Sequence, residues 1–304
     1  MSYELNRKIQ DIIVCPICKN NFDNIENYYC SHCEYSGKMS KKKSIDLRPD
    51  RKVAYNLNID LNDKKYNQEE CKIEPLQIKN NPILDGKINV PHHMTKELLS
   101  YFPIAENSNS IALDLGCGNA IHRDIIELFG YTYIGLDGFI DGATILGDAH
   151  CLPFSDNSID FILSIAVFEH IQYPHVMIRE ISRVLKPGGK LIGTVAFMEP
   201  FHENSYYHHT HLGLISLLSY GSMKIIQIAP SLRWHSLLAS FNMGYFPKVP
   251  VYTYLPFIKI IYFLSKLYWR LACYLNKSIS LEDLLLKTTG AFAFIAKNNN
   301  NGNK

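Results

Sequence analysis

Four cysteines near the start of the chain have a spacing that suits a metal. Cys15-Pro-Ile-Cys18 and Cys30-Ser-His-Cys33 read C-x2-C-x11-C-x2-C. Two such knuckles can set four thiolates around one tetrahedral zinc ion. His32, between ligands, reads as a surface residue. A second set lies mid-chain: Asp114, Gly116 and Gly118 in IALDLGCGNA (111–120), then Asp137, then Asp148 and Ala149 in GDA. Glycines lack the Cβ atoms that would hold a ligand off the backbone. A dinucleotide turn, G-x-G-x-x-G, needs a third glycine for its pyrophosphate and for close helix packing. Here that position is Ile121, which disfavours hydride-transfer cofactors. Asp-x-Gly-x-Gly suits a ligand with an amino acid end, because a carboxylate and an open backbone can hold an ammonium and a carboxylate. S-adenosylmethionine is such a ligand. The blander alternative is an ordinary glycine turn.

These residues need elements to hold them. An apolar run ended by glycines predicts a buried parallel strand running into a tight turn. Ile121, Ile125, Ile126 and Phe129 follow at helical spacing, so strand, turn and helix form half of a βαβ unit. YTYIGLD (131–137) predicts the second strand. Its Asp137 lies about 20 residues past the turn, where an acidic residue reaches the ribose hydroxyls of an adenosine cofactor. The next crossover is short, so its helix must shrink to a turn or the third strand must be displaced. Asp148 can accept the adenine amine, and the next backbone N–H, of Ala149, can donate to a ring nitrogen. Strand four covers 161–167. Pro174 opens a helix through Leu185, stopped by Lys186-Pro187-Gly188-Gly189. Strand five covers 190–196.

The chain has 304 residues, 47% of them apolar, and a net charge of +2. That is a globular composition with a core, and it makes no general case for a nucleic-acid partner. Lysines and arginines nevertheless cluster between Lys38 and Lys52; a solvated flank is the plainer reading, contact with RNA phosphates the sharper one. No apolar signal segment opens the chain, and eight cysteines then point to a reducing compartment. A cytoplasmic protein is expected. A module as small as 1–50 cannot build a core unaided, so zinc would supply its folding energy.

LDLGCG (113–118), GLD (135–137), GDA (147–149), LPF (152–154), EHI (169–171) and RVLKPGGKL (183–191) stand in that order. In this the chain resembles the class I S-adenosylmethionine-dependent methyltransferases of the type 11 group. The resemblance implies an α/β, Rossmann-like, seven-stranded, mostly parallel sheet with helices on both faces, and an antiparallel last strand that 289–297 fits. It implies that Asp114, Gly116 and Gly118 hold the methionine end, Asp137 the ribose, and Asp148 with Ala149 the adenine. Ile165 or Ala166 would offer a backbone carbonyl.

The expected organisation is a zinc-ribbon-like module (1–50), a linker with a short helix capped by Thr95 (51–103), a methyltransferase domain (104–229 and 288–298) and a helical insert (230–287). The loop FMEPFHENSYYHHTH (197–211) follows strand five and so lies over the site. It resembles an acceptor-side loop of methyltransferases from surface-polysaccharide settings. His202, Tyr206 and His170, with His208, His209 and His211 beside them, are the candidates to orient or deprotonate an acceptor, since histidine titrates near neutrality. A second metal site from these histidines lacks helical ligand spacing. The stretch 251–275 is aromatic and leucine-rich but interrupted by Lys259, Lys266 and Arg270. It reads as buried helices capping the cleft or as an amphipathic helix at the inner membrane face. The function expected is methyl transfer to oxygen or nitrogen of a small-molecule, glycan or lipid-linked acceptor. RNA methylation and a non-catalytic, cofactor-binding adaptor are the alternatives.

Overall fold

The computed structural model describes residues 7–57, 71–79, 90–91 and 93–299. Twelve strands are assigned among them: β1 (Tyr29–Cys30), β2 (Tyr35–Ser36), β3 (Lys38–Met39), β4 (Ile45–Asp46), β5 (Lys72–Ile73), β6 (Ile111–Leu115), β7 (Thr132–Asp137), β8 (Ile145–Leu146), β9 (Ile159–Ile165), β10 (Leu185–Ala196), β11 (Met223–Pro230) and β12 (Ala291–Asn298). The α-helices are α1 (Arg7–Gln10), α2 (Lys96–Leu99), α3 (Arg123–Leu128), α4 (Pro174–Val184), α5 (His211–Tyr220), α6 (Ser236–Ala239), α7 (Leu255–Leu275) and α8 (Leu281–Thr288).

One sheet runs β3-β4-β8-β7-β6-β9-β10-β12-β11-β5. Its middle seven, β8 to β11, are the expected core: β8, β7, β6, β9 and β10 are parallel, and β12 is antiparallel to both its neighbours. All five residues of β6 are buried. Ile111, Leu113 and Leu115 face one apolar cluster and Ala112 the other, the alternation a strand imposes between two covered faces. Helices α4 and α5 supply the first cluster, α2 and α3 the second. In α4, Val176, Met177, Ile178, Ile181 and Val184 are all inside. Each contributes about 1.5–3 kcal/mol of burial, so an aspartate at Ile181 would undo the helix packing.

The short crossover is resolved simply. Residues 138–144 form a turn without a helix. They suffice because β8 pairs only with the tip of β7, Leu136 with Ile145 and Asp137 with Leu146. The chain has to retrace almost none of the preceding strand.

Two edges differ from the sequence expectation. The cysteine module does not stop at its own hairpin, β1 with β2; its β4 pairs in parallel with β8 and extends the main sheet. Ile13 bridges Phe154, and Val14 N donates to Pro153 O at 3.1 Å. At the other edge, part of the expected linker is a strand, β5, parallel to β11. Gln227, buried in β11, donates from Nε2 to Glu74 O at 3.1 Å and accepts from the Tyr101 hydroxyl at 2.9 Å. Thr95 caps α2 as expected, its hydroxyl accepting from Leu98 N at 3.2 Å, while 58–70, 80–89 and 92 of the expected linker lie outside the described residues.

The insert carries the long helix α7, of which only Ile258 is buried. Phe257, Ile260, Phe263, Leu264, Leu267 and Leu271 are exposed. The inner flank of α7 is anchored by Tyr262, whose ring stacks on His235 with centroids 4.0 Å apart.

Candidate active site and metal centre

The glycine turn sits at the carboxyl end of β6, stitched to its neighbour. Gly116 N and Cys117 N both donate to Leu136 O, at 2.8 and 3.1 Å. Gly116 and Gly118 have φ of +73° and +52°, where a side chain is strained. A Cβ on Gly116 would come within 2.4 Å of Val167. A Cβ on Gly118 would meet nothing within 4 Å. One glycine is therefore fixed by packing against the end of β9, and the other faces open space at the rim. That opening, over exposed backbone, fits the amino acid end of S-adenosylmethionine.

Asp137 closes the turn from the side. Its Oδ2 accepts from Gly118 N at 3.0 Å, and its Oδ1 accepts from Phe139 N at 2.8 Å and Ile140 N at 2.9 Å. Three amide donors thus hold the carboxylate at the rim, at the tip of β7. Asp148 lies past β8; its Oδ1 accepts from His150 N at 2.9 Å and pairs with His150 Nδ1 at 2.7 Å. Burial pushes the Asp148 carboxyl up, but the bonds from His150 outweigh it and leave it below the usual carboxylate range. Ala149 is buried beside it.

Asp114 stands elsewhere than at an open rim. It is wholly buried, and both oxygens lie 3.1–3.2 Å from His122 Nδ1. The Tyr133 hydroxyl donates to its Oδ2 at 3.1 Å, and His122 Nε2 meets His93 Nε2 at 2.8 Å. The carboxylate forms the floor beneath the turn, part of a polar chain that the sequence did not disclose. Burial raises the Tyr133 hydroxyl, so it stays a neutral donor.

The other half of the rim is made by the ends of β9 and β10. Ile165 closes β9, and Ala166 takes φ +53°, held by its N–H donating to Thr194 O and Oγ1, each at 3.1 Å. A short 3-10 turn, Phe168–His170, follows. It carries Glu169, 1% exposed, whose Oε2 has no hydrogen-bond partner. Burial pushes the Glu169 carboxyl up to about 7. The loop after β10 folds back over this turn: Tyr206 N donates to Glu169 O at 2.6 Å, and Tyr207 N to the same oxygen at 3.2 Å. His202 and His170 face each other with ring centroids 5.3 Å apart, and His208 is 5.8 Å from His202. Burial, and then the neighbouring His202, lowers the pKa of His170 and of His208. Tyr206 is more than half exposed, His209 is buried, and His211 begins α5. The structure therefore brings His170 and His202 together with Glu169, which the sequence reading passed over although it stood inside the EHI motif.

The cysteine set also converges, with Cys15 and Cys30 buried in the first apolar cluster. Sγ of Cys15 is 3.5 Å from that of Cys33, and Cys18 is 3.5 Å from Cys30. All four sulfurs lie within 4.8 Å of one another. A tetrahedron of thiolates at about 2.3 Å from zinc has edges of about 3.8 Å, so the donor set fits the ion. Burial raises the Cys15 thiol; a metal must displace its proton. The module is tied to the sheet domain by Lys19, whose Nζ reaches Glu180 at 2.7 Å and Leu152 O at 3.2 Å. Arg183, from the RVLKPGG run, grips the same Glu180 and donates to Phe154 O at 2.6 Å.

Residues 113–193 match the family described as "Methyltransferase domain". An uncharacterized methyltransferase of Mycobacterium marinum is 30% identical over 135 residues, covering 38% of this chain and 53% of that protein. A putative methyltransferase of Encephalitozoon cuniculi is 36% identical over 107 residues, covering 33% of this chain and 50% of that protein. The biotin biosynthesis bifunctional protein of Cellvibrio japonicus is 34% identical over 106 residues, covering 31% of this chain and 21% of that protein. The chain thus spans about half or less of the length of these relatives. Among solved structures, the complex of the Haloferax volcanii Trm112 methyltransferase activator with a putative methyltransferase matches at 18% identity and a TM-score of 0.43, over 67% of this chain and 88% of that one. The family match thus lies on β6 to β10, within the mostly parallel sheet whose last strand, β12, is antiparallel to its neighbours.

Proposed function

We propose that the chain transfers the methyl group of S-adenosylmethionine to an oxygen or nitrogen of a small-molecule, glycan or lipid-linked acceptor. The observation that carries this is the space beside Gly118, where a Cβ would meet nothing within 4 Å, in a turn braced by Asp137 at the carboxyl ends of a parallel sheet. Ligands of such sheets lie in that crevice. Gly116 and Gly118 would hold the methionine end, Asp137 the ribose, and Asp148 with Ala149 the adenine. Asp114 would act from below, fixing the turn through His122 and Tyr133. A sulfonium is already a good leaving group, so the chain mainly orients the two reactants and excludes water.

The acceptor would enter from the β9–β10 side, over His170, His202 and Tyr206. A lipid-linked acceptor is favoured by α7, where exposed Ile260, Phe263, Leu264, Leu267 and Leu271 form one stripe and Lys259, Lys266 and Arg270 flank it. Apolar and basic stripes side by side suit a helix lying on an anionic membrane surface. Among the described residues no helix is long and apolar enough to cross a membrane. The test is incubation of cell fractions with methyl-labelled cofactor. Label in a lipid-linked or glycan fraction is the expected result. Label in RNA would replace this reading with the RNA one, and tight cofactor binding without transfer to any fraction would leave an adaptor.

A further inference from the structure

We propose that Glu169, His170 and His202 form a second metal site, separate from the four cysteines, that takes a first-row divalent cation beside the acceptor crevice. One donor atom from each of the three lies within 4.8 Å of the other two. Two imidazoles and one carboxylate are a donor set for zinc, iron or manganese, leaving coordination positions open. The set is assembled from two places: Glu169 and His170 from the turn after β9, His202 from the loop after β10.

Two independent observations point to a ligand here. The first is Glu169 Oε2, a carboxylate oxygen that is buried and has no hydrogen-bond partner. Leaving such an atom unpaired costs about 1–3 kcal/mol, more when it is charged. A cation satisfies it. The second is the tautomer of His202. Its Nδ1 lies 3.1 Å from Pro200 O, a carbonyl that can only accept. Nδ1 therefore carries the proton, and Nε2 keeps the lone pair. A backbone carbonyl orienting one ring nitrogen is how ligating histidines are usually fixed. The backbone agrees: Tyr206 N and Tyr207 N both clamp Glu169 O, holding the His202 loop down on the turn that bears the other two donors.

The positions such a three-residue set leaves open would take oxygen atoms of an acceptor such as a hydroxyl or carboxylate. That use rests on the methyl-transfer reading; the metal binding does not. The test therefore measures metal alone. The 304-residue chain is purified with zinc, dialysed, and assayed by elemental analysis and by titration with Co2+. Wild type should hold two metals per chain. The Glu169→Gln and His170→Ala/His202→Ala variants should each hold one, with the intense sulfur-to-cobalt band intact and the weaker nitrogen–oxygen bands lost. The persisting sulfur band, with an unchanged circular dichroism spectrum, shows that a variant is folded. One metal per wild-type chain, or a second metal that survives both variants, would overturn the proposal. Cofactor affinity, measured separately, decides the methyl-transfer reading whichever way the metal count falls.

Discussion

The two halves of the rim are finished to different degrees. On the β6–β8 side every carboxylate is answered: Asp114 by His122 and Tyr133, Asp137 by three amides, Asp148 by His150. On the β9–β10 side, Glu169 Oε2, Ser205 Oγ and His209 Nε2 are buried and have no hydrogen-bond partner. Buried polar atoms are normally paired, so the contrast separates two kinds of preparation. In the first half the carboxylates are held rigid by the chain itself. The second leaves buried polar atoms that the chain does not pair. The cysteine module pairs with the first half, through β4 on β8 and through Val14 on the 152–155 loop, and reaches the second by the side chain of Lys19 on Glu180 of α4.

The largest expected effect comes from removing that brace. Structural zinc contributes about 10–16 kcal/mol of apparent binding energy to small modules at neutral pH. Chelation should release the cysteine-bound zinc, unfold the module and expose the β8 edge. Amide exchange should then quicken at Ile145 and Leu146 and stay slow in β9 and β10. Acid should do the same, since protons compete for the thiolates and burial already raises Cys15. Equal loosening of both halves would break the comparison.

Next is Asp137→Ala. It deprives three amides of their acceptor and removes the side chain assigned to the ribose. Cofactor affinity by calorimetry should fall at least about 100-fold, or about 2.7 kcal/mol. Unchanged affinity would remove the ribose assignment. Gly118→Ala is gentler. Its φ of +52° costs an alanine about 1–2 kcal/mol of stability, with no clash in the protein itself. The methyl group would project into the crevice, so affinity should drop about 10-fold, or about 1.4 kcal/mol. A loss of stability with no loss of affinity would mean that the open space is not the binding space.

The same contrast explains what could be read from the residues alone. The β6–β8 half was legible because its parts are local. Glycines at a turn, an acid about 20 residues on and GDA after it are short patterns with a fixed physical reason. The succession of strands and helices could be read along the chain, though not their order in the sheet, and even the short crossover left a trace in its length. The unread features need contacts between distant residues. His122 and Tyr133 meeting under Asp114, Cβ contacts at Gly116, and β4 joining β8 depend on how separate segments dock. Glu169 is illegible for a subtler reason: what marks it is a buried Oε2 with no hydrogen-bond partner, which spacing does not reveal. The two readings of α7 stayed open for a similar reason: an apolar run interrupted by lysine and arginine does not reveal which surface it covers.

That helix supplies the smallest expected effect on the fold and so the finest test. Helix α4 buries eight of its eleven residues, whereas α7 buries one of twenty-one. Replacing Phe263 or Leu267 by serine removes exposed apolar surface and touches no core. The folded state should shift by less than about 0.5 kcal/mol, the range for substitutions away from packed features. Flotation with anionic vesicles should drop in the double variant, because each side chain would otherwise sink into the acyl boundary beside Lys266 and Arg270. If stability fell by several kcal/mol instead, the stripe would be packed against this chain in solution and the membrane reading would fail. If both stability and flotation held, α7 would be an exposed helix with no part in locating the acceptor, and the β9–β10 half of the rim would have to select its substrate unaided.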